Sequence, residues 1–158
     1  NLLIGRMEDG ETFEQALEYA RSIGITETDP SNDVDGWDAA IKVSALATVL
    51  MKHPLTPVEV QPTGIRGITP EKIAEARAAG TRWKLVCSAG YDDQGQFYAR
   101  VCPEMVGPES PFYSIWGTDS IVVFNTDVLP GLGILETKTT PYTTAYGMLS
   151  DVLSALRD

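Results

Sequence analysis

Five carboxylates crowd one short stretch of this 158-residue chain: Glu27, Asp29, Asp33, Asp35 and Asp38. A single ammonium, Lys42, follows them. Asp38 and Lys42 are four residues apart, so on a helix they share one face. Asp35 has the side chain of an N-cap, which accepts a bond from an orphan amide of the first turn. The sequence therefore predicts a helix over about 35–52, opened by Gly36, Trp37 and Asp38. Glu27, Asp29 and Asp33 sit on the loop ahead of it. One amine beside several acids is the arrangement needed to hold a charged amino acid and move a proton.

An Asp–Lys pair on an ordinary surface helix contributes only ~0.3–0.5 kcal/mol. The helix here continues Ala39, Ala40, Ile41, Val43, Ala45, Leu46, Ala47, Val49, Leu50, Met51. It is apolar nearly all round, which predicts burial. Lys42 is then expected as a cation inside an apolar helix, the setting in which burial tunes a lysine for proton transfer. A Lys42 standing freely in water, far from Glu27 and Asp33, would overturn the functional assignment built on it.

The elements that must position these groups follow from local signals. Thr12 and Gln15 form a capping box, and Phe13, Ala16, Leu17, Ala20 and Ile23 recur at helical spacing up to Gly24. Pro54 and Pro57 break the chain after the long helix. Val58-Glu59-Val60 reads as a short strand. Thr69-Pro70 opens a helix that runs over 71–79 to Gly80. A strand over 82–89 turns at Asp92-Asp93-Gln94-Gly95 into a strand over 96–103. A turn centred on Gln94-Gly95 places Cys87 opposite Cys102, read as two small buried residues. Residues 110–115 read as a further strand, 121–126 as a β-branched central strand, and 131–136 as a last strand. Thr140-Pro141 opens a terminal helix with Ala145, Met148, Leu149, Val152, Leu153 and Leu156 as its apolar stripe.

The formal charge of −10 argues against nucleic acid or an anionic membrane as partner. No stretch reads as a bilayer span or signal peptide. Two cysteines without a Cys-x-x-Cys pair make neither a disulfide scaffold nor a metal site, and a reduced, cytoplasmic setting is the default. His53, next to Pro54, reads as a loop residue. No Gly-x-Gly-x-x-Gly turn joins a strand to a helix. The chain opens at Asn1 inside an apolar run and without Met, and reads as a piece of a longer protein. Helices first, then strands with one helix among them, predict an α+β domain. Its sheet is expected to be open and mixed, mostly antiparallel, with helices largely on one face.

The run Gly24-Ile25-Thr26-Glu27-Thr28-Asp29-Pro30, then Asp33-Val34-Asp35-Gly36-Trp37-Asp38-Ala39-Ala40-Ile41-Lys42, resembles the signature of homoserine dehydrogenase. That pattern is a Gly, an acidic-Asp-Pro turn, a second Asp, then Gly-x-Asp-x-x-x-Lys. The stretch from Gly64 to Val86 also resembles the family, and the likeness covers essentially the whole chain. It implies the substrate-binding and dimerisation domain of an oxidoreductase, without the nucleotide-binding domain. That enzyme interconverts L-homoserine and L-aspartate 4-semialdehyde with NAD or NADP, in aspartate-derived threonine and methionine biosynthesis.

The roles carried over are Lys42 and Asp38 as catalytic residues, with a second lysine from outside this stretch. Glu27, Asp33 and Asn1 are carried over as substrate-binding residues. Asn1 closes the family's Gly-Thr-x-Asn loop. Thr144 and Ala145 fill a Thr-Ala pair beside the nucleotide, although Glu136-Thr137-Lys138-Thr139 stands where the family has glycines. The family's cation site falls before Asn1, so no metal is expected here. The resemblance further implies a homodimer through the sheet, and an isolated piece without turnover. A non-enzymatic dimerising or amino-acid-binding module, or a dehydrogenase of another small hydroxy or keto acid, remain the alternatives.

Overall fold

The chain begins with two short helices whose packing follows from local capping. A computed structural model describes residues 1–157. Helix α1 (Leu2–Glu8) buries Leu3, Ile4 and Met7. Helix α2 (Phe13–Ser22) starts at the expected capping box, with Thr12 and Gln15 each bonding the other's backbone amide. Gly24 follows at φ +71°, a conformation that costs a glycine little. A one-turn helix α3 (Ser31–Val34) then leads into α4 (Trp37–Leu50).

Helix α5 (Pro57–Val60) replaces the strand expected at 58–60. Thr56 and Glu59 make a capping box across Pro57, and that local signal overrides the β-branched pair Val58 and Val60. Helix α6 (Pro70–Ala78) opens at Thr69 as expected, its hydroxyl accepting from the Lys72 amide.

Strands β1 (Arg82–Tyr91) and β2 (Phe97–Val106) form an antiparallel hairpin. Its loop is one residue longer than expected, which shifts the pairing by one residue. Gly95 sits at φ +75°, with its amide on the Asp92 carbonyl, so residues 93–95 make a three-residue loop. The register pairs Cys87 with Val101 and Val86 with Cys102. A slip of one residue reverses the faces, so the two cysteines are not opposed. Both thiols are free; Cys87 is exposed and Cys102 half-buried, not the buried pair expected.

Residues 110–115 are turns rather than a strand. Strands β3 (Ser120–Phe124) and β4 (Leu132–Glu136) make a second antiparallel hairpin. Helix α7 (Pro141–Ala155) ends the described chain. The α+β class holds, and the strands pair antiparallel in two separate hairpins. The β3 strand has one partner among the described residues, so it is not central.

One core joins α1, α2, α6 and Ile65 and Ile68, with Trp83 and Leu85 of β1 against it. A second joins Ala40 and Val43 of α4, Val60 of α5 and Val101 of β2, with Leu85 and Ala89 against it. Trp83, Leu85, Ala89 and Val101 share one face of the first hairpin, because alternate residues and cross-strand partners point the same way. The helices lie on that face. The α7 stripe is uncovered: Met148, Leu149, Val152, Leu153 and Leu156 are all exposed. No helix of the described residues is long and apolar enough to cross a membrane.

The buried lysine is Lys84 of β1, only 3% exposed. Its Nζ donates to the Ile115 carbonyl at 2.5 Å and lies 5.5 Å from the Trp116 ring centroid. Trp116 in turn packs against Gly5 of α1. Burial lowers the Lys84 pKa, with Glu8 pulling it back up.

The acidic loop is fastened by the segment that follows α5. Thr63 donates its amide to Val101 at 2.8 Å, and Ile65 donates to Val34 at 2.8 Å. Gly64 passes so close beneath Val34 and Asp35 that a Cβ would lie 2.5 Å from Asp35 Cα and closer still to the Val34 carbonyl oxygen. Gly64→Ala must therefore push backbone from backbone. The expected loss is roughly 2–4 kcal/mol of folding stability, read as a lowered midpoint in a urea titration.

Candidate active site

The loop before α4 and the start of α1 converge on one cleft of about 170 Å³. That is smaller than the ~300–1,000 Å³ of drug-sized sites, and suits a small metabolite. Asn1, Thr26, Asp33 and Asp38 supply its polar lining. Leu3, Ala20, Ile25, Ile65 and Leu85 supply much of the apolar wall. Three of the residues singled out from sequence, Asn1, Asp33 and Asp38, thus meet in one place.

Lys42 extends from α4 to Asp38, Nζ to Oδ2 at 2.7 Å. The pair has the spacing expected, but not the burial: the Lys42 side chain is 70% exposed. The expectation of a buried ammonium is overturned. The reason is helix geometry. Ala40, Val43, Ser44 and Ala47 are the buried stripe of α4. At 3.6 residues per turn, Lys42 lies about 200° round from Ala40, on the far side. Ile41, Leu46, Val49 and Leu50 are exposed as well, so the helix is not buried all round.

Asp35 is not the N-cap either. Gly36 holds that position in the left-handed region, φ +84°. Asp35 sits one residue earlier at φ −88° and ψ −3°, not in the extended region typical of an N-cap. Arg66 takes its carboxylate instead, Nε to Oδ1 at 2.5 Å and Nη2 to Oδ2 at 3.2 Å. This pairing holds the Asp35 carboxyl below the usual aspartate range.

The other acids find local donors. Asp29 Oδ1 accepts from the Ser31 amide at 3.0 Å and the Ser31 hydroxyl at 2.5 Å, which lowers its pKa. Thr26 donates its hydroxyl to Asp33 Oδ2. Glu27 is exposed on the loop, next to Thr26 but not itself part of the cleft lining, and takes no ion-pair partner among the described residues.

Sequence reasoning missed Thr26 and Arg66, and no short-range signal marks either, because their partners lie 7 and 31 residues away. His53 is a packed loop residue, stacked on Phe97 at 3.6 Å between ring centroids.

Comparison with known proteins decides the family. Residues 1–153 match the family model described as homoserine dehydrogenase. The chain belongs to the homoserine dehydrogenase family. A homoserine dehydrogenase from Methanocaldococcus jannaschii is 35% identical over 97% of this chain and 44% of its own length. The NAD(+)-dependent homoserine dehydrogenase of Pseudomonas canavaninivorans is 32% identical, over 97% and 44% respectively. The structure of S. aureus homoserine dehydrogenase superposes with a TM-score of 0.86 at 25% identity, over 99% of this chain and 39% of that one. The chain thus spans under half the length of these family members.

A dinucleotide, the cofactor the family implies, does not fit a cradle made by these residues. Both sheets are antiparallel hairpins. Among the described residues no strand feeds a glycine-rich turn into a helix, the arrangement that seats a pyrophosphate. Thr144 lines a second, open hollow with Gly24, Ile25, Thr139, Thr140 and Pro141, and Ala145 is exposed.

The Arg66–Asp35 clamp has a measurable signature. In a carbon-13 NMR titration the Asp35 carboxyl should titrate below the ~3.9 of a free aspartate. In Arg66→Met it should return toward that value. A depressed folded pKa contributes stability above the unfolded value, and that contribution fades as pH falls through the folded one. Arg66→Met should therefore lose less stability between about pH 5 and pH 2 than the native chain.

Proposed function

We propose that these residues form the amino-acid-binding and proton-handling part of an oxidoreductase that interconverts L-homoserine and L-aspartate 4-semialdehyde. The observation that carries this reading is the cleft itself, where Asn1, Asp33 and Asp38 meet, with the Lys42–Asp38 pair at 2.7 Å beside them. Family membership supports it.

The substrate bears an ammonium, a carboxylate and, at its far end, a hydroxyl or an aldehyde. Asp33, with Glu27 at the loop edge, answers the ammonium. Asn1 offers amide hydrogen bonding at the other wall. Asp38 holds Lys42 in place, and the pair faces the end where chemistry occurs. In the reducing direction the Lys42 ammonium donates a proton to the oxygen as it becomes a hydroxyl. In the oxidising direction the hydroxyl proton passes to water at the exposed Lys42–Asp38 pair, a role that rests on the pair's place beside the cleft and not on burial of the ammonium. The hydride belongs to a nicotinamide cofactor, NAD or NADP, and we assign its seat to residues outside this stretch. A place in threonine and methionine biosynthesis and a cytoplasmic setting accompany the reading.

A homodimer through the second hairpin also belongs to it. Leu132, Ile134 and Leu135 of β4 are each about half exposed, an apolar strand surface that a second copy would cover.

Two measurements test these statements. In the full-length protein, Lys42→Ala should lower kcat for homoserine-dependent reduction of the nicotinamide by roughly 10²–10⁴-fold, with a smaller change in KM. Normal turnover in that variant would leave Lys42 a binding role at most. Sedimentation at micromolar concentration should give a dimer, and Ile134→Glu should give a monomer; a native monomer would remove the dimer proposal.

A further inference from the structure

Asp33 lies in the cleft, yet its carboxylate is not free to choose its orientation. The Thr26 hydroxyl donates to Oδ2, across the loop that carries Glu27 and Asp29. Thr26 is half-buried and lines the cleft alongside Asp33, with Ile25 next to it on the same wall. The Asp33 backbone is held separately, its amide on the Pro30 carbonyl at 3.1 Å and its neighbour Val34 on the same carbonyl at 2.8 Å. The backbone of α3 therefore stays in place without Thr26, and what the hydroxyl adds is the direction of the carboxylate. With Oδ2 engaged, Oδ1 is the oxygen left for a group in the cleft.

We infer that Thr26 is a positioning residue for substrate binding: its hydroxyl fixes the Asp33 carboxylate so that Oδ1 meets the ammonium of a small amino acid. The inference rests on the reading of Asp33 as the ammonium's partner. The physical ground is that a carboxylate with one oxygen tied down loses less freedom when it captures a cation. A hydrogen bond to a charged group has the strength to hold it there. The same bond closes the ring of chain between residues 26 and 33, so the acids between them stand on a fixed loop rather than a loose one.

The test uses the full-length protein with L-homoserine as the varied substrate and a saturating nicotinamide cofactor. Thr26→Val keeps the shape and removes the donor. It should raise KM for L-homoserine about tenfold, with kcat within about twofold of native. Thr26→Ser restores the donor and should bring KM back to within about twofold. A purely structural role would instead lower the melting temperature of Thr26→Val and leave its KM native, which would overturn the inference. Asp33→Asn separates the two layers. A raised KM in Asp33→Asn with a native KM in Thr26→Val overturns the role of Thr26 alone. A native KM in Asp33→Asn overturns the reading of Asp33 and this inference with it. Where circular dichroism shows Thr26→Val unfolded, Thr26→Ala carries the same comparison.

Discussion

The backbone of residues 62–66 runs beneath the turn at Val34–Gly36, and the site takes its geometry from that crossing. Two amides tie the segment on opposite sides, Thr63 to β2 and Ile65 to Val34. Gly64 lets the chains approach closer than any side chain would permit. Gly36, in turn, is hemmed by Pro62 and Val101, and its left-handed conformation aims α4 away from the loop. The first turn of α4 carries Asp38, so the cleft depends on a backbone contact between two glycine-bearing turns. Arg66 then fastens the same junction from outside through Asp35.

That junction also explains why Lys42 stands in water. Once the start of α4 is fixed, the helix can bury only one stripe on the hairpin. The small residues Ala40, Ser44 and Ala47 allow close approach there, with Val43 filling the gap. The far side of the helix holds Asp38 and Lys42, which satisfy each other. Asp38 lines the cleft while Lys42, outside the lining, stays hydrated, so the pair forms without the cost of dehydrating a charge during folding. Lys84 shows the other solution. It is buried because a main-chain carbonyl and an aromatic face receive it, and among the described residues no carboxylate pairs with it within the distance of an ion pair.

Local signals in the sequence translated well, and those needing a partner far along the chain did not. Thr12, Thr69 and Thr140 each open a helix where their spacing to the next polar residue or proline says they should. Val58 and Val60 look like a strand only if Thr56 and Glu59 are ignored. The cysteine register failed through a single turn residue, because Gly95 in the left-handed region adds one residue to the loop. The position of Lys42 was legible as a partner of Asp38, since four residues on a helix fix that. Its exposure was not, because an apolar helix does not declare which side meets the sheet. The acids were legible as a group; Thr26 and Arg66, which orient two of them, were not.

The crowding of carboxylates sets the last constraint. Five acids on a short loop repel one another, and a folded chain must answer that with donors or cations. Asp29 has Ser31, Asp33 has Thr26, Asp35 has Arg66 and Asp38 has Lys42. Glu27 alone is left in solvent without such an answer among the described residues. In the function proposed above, the substrate ammonium is the cation that would answer it. Four of the five acids thus hold the loop and the helix start in place, and Glu27 is the one that makes no such contact among the described residues.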